Sequence, residues 1–110
     1  MKLPNAESAV IDISKLRNYC LSQAHPDGRH KARVFFAVLG MTADDAEELR
    51  AAIIEGICRC EIRDKSKTPY GCRYVADIAV SRRDKNAIVR TAWIIRDGES
   101  VPRLVSCYVA

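Results

Sequence analysis

The spacing of apolar residues changes once along this chain, near residue 70, and that change sets the fold class. Upstream, apolar side chains recur at intervals of three and four. Downstream, Cys72, Tyr74, Ala76, Ile78 and Val80 alternate with Arg73, Val75, Asp77 and Ala79. A period near 3.6 marks a helix with one buried face, and a period of two marks a half-buried strand. Helices first and strands afterwards predict an α+β fold. Two to three helices, within about 12–60, are expected to pack on an antiparallel meander of three to five strands, within about 70–109.

The helical half is punctuated by its caps. Ser8 to Ile11 suits a short edge strand. Asp12 or Ser14 can then open a helix that carries Leu16, Tyr19 and Cys20 on one side. Pro26 biases His25 away from helical angles, so 22–28 reads as a loop. From 28 to 39, Ala32, Phe35, Phe36 and Leu39 form an apolar stripe, and Gly40 supplies the left-handed stop. Val34 and Val38 lie off that stripe, which predicts packing on more than one neighbour. Thr42 can cap a third helix whose first turns hold Asp44, Asp45, Glu47 and Glu48, where the helix dipole favours anions. Leu49, Ile53 and Ile57 form its buried stripe, with Gly56 near its end. The run 63–69 reads as a charged loop.

In the second half, a turn at 83–86 leads to Val89, Thr91, Trp93 and Ile95, alternating with Ile88, Arg90, Ala92 and Ile94. Asp97-Gly98 marks the next hairpin, and Val101 to Val109 supplies the last strand. Pro102 stands near its start, where a missing N–H is tolerated.

At 110 residues, 1–110 reads as one domain, because two separate cores would not fit. No apolar run reaches the ~20 residues of a membrane span, and the first residues lack a signal-peptide core. The chain is therefore expected in the cytoplasm and off the membrane. Its five cysteines read as reduced, small apolar fillers rather than a disulfide set. Cys58-x-Cys60 is the one close pair, and no second pair follows at a metal-ligand spacing, so no metal and no cofactor is expected. Charge is uneven: 1–55 carries a net −1 and 56–110 a net +5. A positive second half favours polyanions such as RNA, although ordinary solvated surface explains a charge of this size as well.

The stretch with most chemical content is His25-Pro26-Asp27-Gly28-Arg29-His30-Lys31-Ala32-Arg33. It places an imidazole and two guanidinium groups in the first turns of a helix, where free N–H groups and the dipole attract phosphate. His30 and Arg33 are neighbours on that surface. Imidazole exchanges protons near neutral pH, and Arg can hold two phosphate oxygens at once. On spacing alone, a solvated helix face is the simpler reading. Along the strands, Arg90 and Thr91 must face opposite sides, while Ser106 and Tyr108 share one. Arg73, Asp77, Arg90, Ser106 and Tyr108 are candidates for the sheet face that helices leave free. Each has a plainer alternative: Tyr108 can pack, and Arg90 can pair with Asp77. There is no phosphate loop, no nucleophile elbow and no cysteine placed for catalysis.

Leu3-Pro4-Asn5-Ala6, the segment from His25 to Arg33, Tyr70-Gly71-Cys72-Arg73-Tyr74, Val89-Arg90-Thr91-Ala92-Trp93-Ile94 and Pro102-Arg103-Leu104-Val105-Ser106-Cys107-Tyr108 together resemble a family of short bacterial domains of unknown function. The resemblance runs nearly the whole length, and the H-P-x-G-R-H-K-A-R segment is its most specific part. Such domains occur alone, often beside a small partner protein, and as C-terminal modules of polymorphic toxins. The family is in turn similar to the barnase, EndoU, colicin and RelE group of ribonucleases, which cut RNA without a metal. The resemblance implies His30 as acid or base, with Arg33 and Arg90 steadying the phosphorane charge. It implies Tyr108, Thr91 and Ser106 as groups that position the phosphate; Arg29 and Lys31 beside His30 and Arg73 on the sheet are candidate further substrate contacts. Where the family usually ends Thr-x-Tyr-Pro, this chain has Ser106-Cys107-Tyr108-Val109, which keeps the hydroxyl. The first hairpin lacks the glycine expected of the family. The implied function is a toxin-like, metal-independent endoribonuclease acting on RNA and held by a small neutralising partner protein. A non-catalytic protein-interaction or RNA-binding module is the alternative, and the oligomeric state is left open.

Overall fold

The computed structural model describes residues 1–110. Three helices precede a four-stranded antiparallel sheet, which makes the fold α+β. The helices are α1 (Ile13–Lys15), which runs into a π turn at Leu16–Cys20, α2 (Arg29–Leu39) and α3 (Ala46–Ile57). The strands β1 (Asp64–Thr68), β2 (Gly71–Arg82), β3 (Lys85–Arg96) and β4 (Arg103–Val109) pair in sequence order.

Local chemistry accounts for each boundary. Asp12 caps α1, its carboxylate accepting from the Ser14 N–H at 3.0 Å and the Ser14 hydroxyl at 2.7 Å. Thr42 and Asp45 form a capping box: Thr42 Oγ1 accepts from the Asp44 N–H, and Asp45 Oδ2 accepts from the Thr42 N–H. Gly40 closes α2 at φ 67°, a conformation open to glycine with little strain. Arg82, at the end of β2, ties these ends together. It donates to the Leu39 and Gly40 carbonyls and to the carboxylates of Asp45 and Glu48, between 2.8 and 3.3 Å. A cation thus sits where the carbonyl end of α2 and the acidic start of α3 both favour one.

One core of 21 buried residues fills the space between the helices and one face of the sheet. The sheet contributes Tyr74, Ala76, Ile78, Val80, Val89, Trp93, Leu104 and Cys107, and the helices Leu16, Phe35, Leu39, Leu49, Ile53 and Ile57. α3 lies close on β2: a Cβ on Gly56 would collide with the Ile78 side chain, so this glycine is a packing requirement. Thr91 is the one wholly buried polar residue, and its hydroxyl donates to the Ala76 carbonyl and accepts from the Trp93 indole N–H, each at 2.8 Å.

The structure corrects several expectations. The stretch read as a charged loop is largely β1, paired with β2 from Asp64↔Val75 to Thr68↔Gly71. Its hydrogen bonds come from its neighbour, and its charged side chains suit an edge, where they discourage further pairing. The expected edge strand near Ser8 is instead a 3-10 turn at Ala6–Ser8, followed by a single parallel bridge from Val10 to Arg103. On α2, Ala32, Phe35 and Leu39 are buried, but Phe36 is 49% exposed and Val34 and Val38 are also open to solvent. The core lies along the Ala32–Phe35–Leu39 direction alone, and at ~100° per residue both flanks turn away from it. Cys58, expected as a core filler, is exposed, whereas Cys20 and Cys107 are fully buried.

The last strand carries the feature that matters most for the site. Trp93 pairs with Leu104, and Ala92 pairs with Ser106, so Val105 is an extra residue in β4. Strict alternation from the buried Leu104 would turn Ser106 and Tyr108 inward. The bulge reverses this: Cys107 is buried while Tyr108 is 38% exposed.

Candidate functional site

The site is built where the start of α2 meets β4. Gly28 allows the close approach. It is buried, and a Cβ there would run into the Tyr19 carbonyl of the π turn. His25 holds the entry to the helix, its Nδ1 accepting from the Asp27 and Gly28 N–H groups at 3.0 Å each. With Nδ1 an acceptor, the proton of the neutral ring sits on Nε2. The His25 ring stands edge-on to Tyr19, with centroids 4.8 Å apart.

Lys31 is the centre of the arrangement. Its ammonium donates to the Ser106 hydroxyl at 2.8 Å and lies 5.0 Å from the Tyr19 ring centroid and 5.7 Å from that of Tyr108. Two aromatic faces and one hydroxyl therefore hold a half-buried cation against β4. His30, Lys31, Val34, Tyr108 and Val109 line a cleft of about 300 Å³ beside it. The Arg90 guanidinium carbon is 6.0 Å from the Tyr108 ring centroid.

Arg90 does not stand free. It grips Asp77 through two hydrogen bonds, at 2.8 and 3.2 Å, and Arg63 reaches the same carboxylate at 2.8 Å. Arg90, with Arg63 adding to the effect, holds the Asp77 carboxyl below the usual carboxylate range, against the opposing pull of its desolvation. In turn Asp77 and Tyr108 keep Arg90 firmly protonated. Behind the site, the fully buried thiols of Cys20 and Cys107 lie together, and Cys20 and burial push Cys107 upward.

The structure thus gathers His30, Lys31, Ser106, Tyr108 and Arg90 along one edge. Arg29 and Arg33 are exposed on α2 near its start, outside the cleft lining. Thr91 is not brought to this surface, because its hydroxyl is spent inside the core. Arg73 is exposed on β2, four residues from Asp77 along the strand. Tyr19, Val34 and Val109 also belong to the site, although the sequence assigns none of them a functional role. Tyr19 shares a helical stripe with Leu16 and Cys20 in the sequence, and in the π turn its ring lies 5.0 Å from the Lys31 ammonium. No group of histidine, cysteine and acidic residues is arranged to hold a metal ion, and no helix is long and apolar enough to cross a membrane.

Similarity to known proteins agrees with this architecture. A solved chain from a contact-dependent growth inhibition toxin–immunity protein complex of Klebsiella pneumoniae 342 superposes with a TM-score of 0.69. The match covers 92% of this chain and 99% of that one at 14% identity, which is a likeness of fold. None of the curated proteins matches the sequence. The family described as a domain of unknown function (DUF6883) matches residues 2–110, and the chain belongs to that family.

Proposed function

We propose that this protein is a toxin-like, metal-independent endoribonuclease that cuts RNA by attack of a ribose 2′-hydroxyl on the adjacent phosphate. The observation that carries this reading is the shared cleft. An imidazole from α2 and a phenol from β4 line one space of about 300 Å³, with Lys31 in the same lining and Arg90 against the phenol. His30 takes the 2′-hydroxyl proton as the P–O2′ bond forms and gives it to the 5′-oxygen as the P–O5′ bond breaks. Lys31 and Arg90 supply fixed positive charge to the phosphorane, with Arg33 one turn away, and electrostatic stabilisation of this kind is often the largest catalytic term. Tyr108 and Ser106 orient the phosphate, Thr91 acts only by bracing β3, and Arg29 and Arg73 collect the substrate. The side chains provide acid, base and charge, so the scheme calls on no metal or cofactor. The fold-level likeness to a chain from a toxin–immunity protein complex fits a toxin-like protein that is held in check by a protein partner.

Purified protein incubated with tRNA and total RNA in EDTA is expected to leave 2′,3′-cyclic phosphate ends. His30→Ala is expected to slow cleavage by about 10²-fold or more. An intact RNA pool with the wild-type protein, or a His30→Ala variant as fast as wild type, overturns the reading. The exposed Val34, Phe36 and Val38 favour a second reading, a non-catalytic module that docks a partner protein on α2. That module predicts a stable complex and no growth arrest on expression. Arrest that vanishes in His30→Ala excludes it.

A further inference from the structure

The largest cleft in the molecule, about 730 Å³, lies away from His30, where the N-terminal segment runs beside the far ends of β3 and β4. Val10, Ile94 and Val105 give it apolar walls, Tyr70 stands at its rim 76% exposed, and Lys15 and Arg96 line it. Its two carboxylates are already engaged: Asp12 caps α1, and Asp97 pairs with Lys67 at 3.5 Å. Lys15 and Arg96 form no ion pair, nor does Arg73, which sits directly across from Ile94 in the neighbouring strand. An exposed aromatic ring, aliphatic walls and two lining cations outside any ion pair, with Arg73 beside the lining and Arg103 in it but paired with Glu99, are the features that recognise a base together with its phosphates. An acidic or purely apolar ligand would use only half of them.

The location fixes how such a ligand would connect to the proposed catalytic edge. Ile94 lies on the same sheet face as Arg90 and four residues further along β3, a distance of about 13 Å at ~3.3 Å per residue. An extended single strand covers that in a few nucleotides. We propose that this cleft is a second nucleotide subsite for single-stranded RNA. Tyr70 stacks on a base, and Arg96 and Lys15, with Arg73, hold the flanking phosphates. The identity of the polymer rests on the ribonuclease reading, and the subsite itself rests on the cleft.

The test uses fluorescence anisotropy with a labelled 2′-O-methyl RNA hexamer, which lacks the attacking hydroxyl, and a matching dinucleotide too short to span both sites. Tyr70→Ala and Arg96→Ala are expected to weaken hexamer binding about tenfold each. Both should leave the dinucleotide unchanged, and Tyr70→Phe should restore stacking. Arg96→Ala should also lower the salt slope of hexamer binding by about one. Equal weakening of both oligonucleotides, unchanged hexamer binding in the double variant, or no hexamer binding by the wild type each overturn the subsite. The two proposals fail separately. If Tyr70 and Arg96 govern hexamer binding while no RNA is cut, the nuclease falls and the subsite stands. If RNA is cut through His30 with affinity indifferent to Tyr70 and Arg96, the subsite falls alone.

Discussion

Replacing Thr91 by valine tests whether this residue braces the core or serves the surface. Valine keeps the volume and removes the hydroxyl, and the side chain has no solvent exposure to relieve the loss. The Trp93 indole N–H, which now donates to Oγ1 at 2.8 Å, would be buried without an acceptor, at a cost of about 1–3 kcal/mol. Loss of the bond to the Ala76 carbonyl adds about 1 kcal/mol. The sum, about 2–4 kcal/mol, corresponds to roughly 8–16 °C in Tm for a chain of this size. Thr91→Ser, which keeps the hydroxyl and loses a methyl, should cost only about 1 kcal/mol. Urea unfolding of the four proteins in a Thr91→Val and Trp93→Phe cycle isolates the indole bond. Without the indole N–H, Thr91→Val should cost about 1–2 kcal/mol less than in the wild type. Coupling below about 0.5 kcal/mol would refute this account, since independent sites add to within that margin.

Two further outcomes follow from the same geometry. Because Arg90 and Arg63 hold the Asp77 carboxyl below its unfolded value, its contribution is present above about pH 4 and lost as pH falls further. Asp77→Asn should therefore lose about 1–2 kcal/mol at pH 7 and show a shallower decline in urea midpoint between about pH 5 and 3. An unchanged pH profile would mean the ion pairs are not formed in solution. Gly28→Ala should destabilise by about 2–3 kcal/mol, because the new methyl meets the Tyr19 backbone. Since Gly28 has φ −80°, alanine would otherwise be tolerated, and a neutral result would show that α2 and the π turn lie further apart.

Period and capping carried most of the fold in the sequence. The Asp12 cap, the Gly40 stop and the stripe of Leu49, Ile53 and Ile57 are local features, and each element formed where its own residues direct it. β1 was illegible for a physical reason. Its exposed, highly charged residues bury nothing, and its strand conformation is imposed by hydrogen bonding to β2. Phe36 misled in the opposite direction. A phenylalanine beside a helical stripe looks buried, but which flank of a helix is covered depends on its neighbours.

The candidate site divides along the same line. Residues presented by α2 could be found from their spacing, because His30 and Lys31 follow a recognisable helix start. Those presented by the sheet depend on register, which alternation alone leaves ambiguous wherever a strand carries an extra residue. Counting by twos from Leu104 buries Tyr108. Counting from the Arg90–Tyr108 pair exposes it, and the unpaired Val105 is what reconciles the two. Arg90 shows the complementary limit. Its place on the open face follows from alternation, but its partner Asp77 lies 13 residues away on another strand. The guanidinium is consequently a fixed, oriented charge rather than a mobile one. A group already locked by a carboxylate needs little rearrangement to meet a phosphate with its remaining N–H groups, whereas the unpaired arginines on α2 and β2 would have to be ordered first.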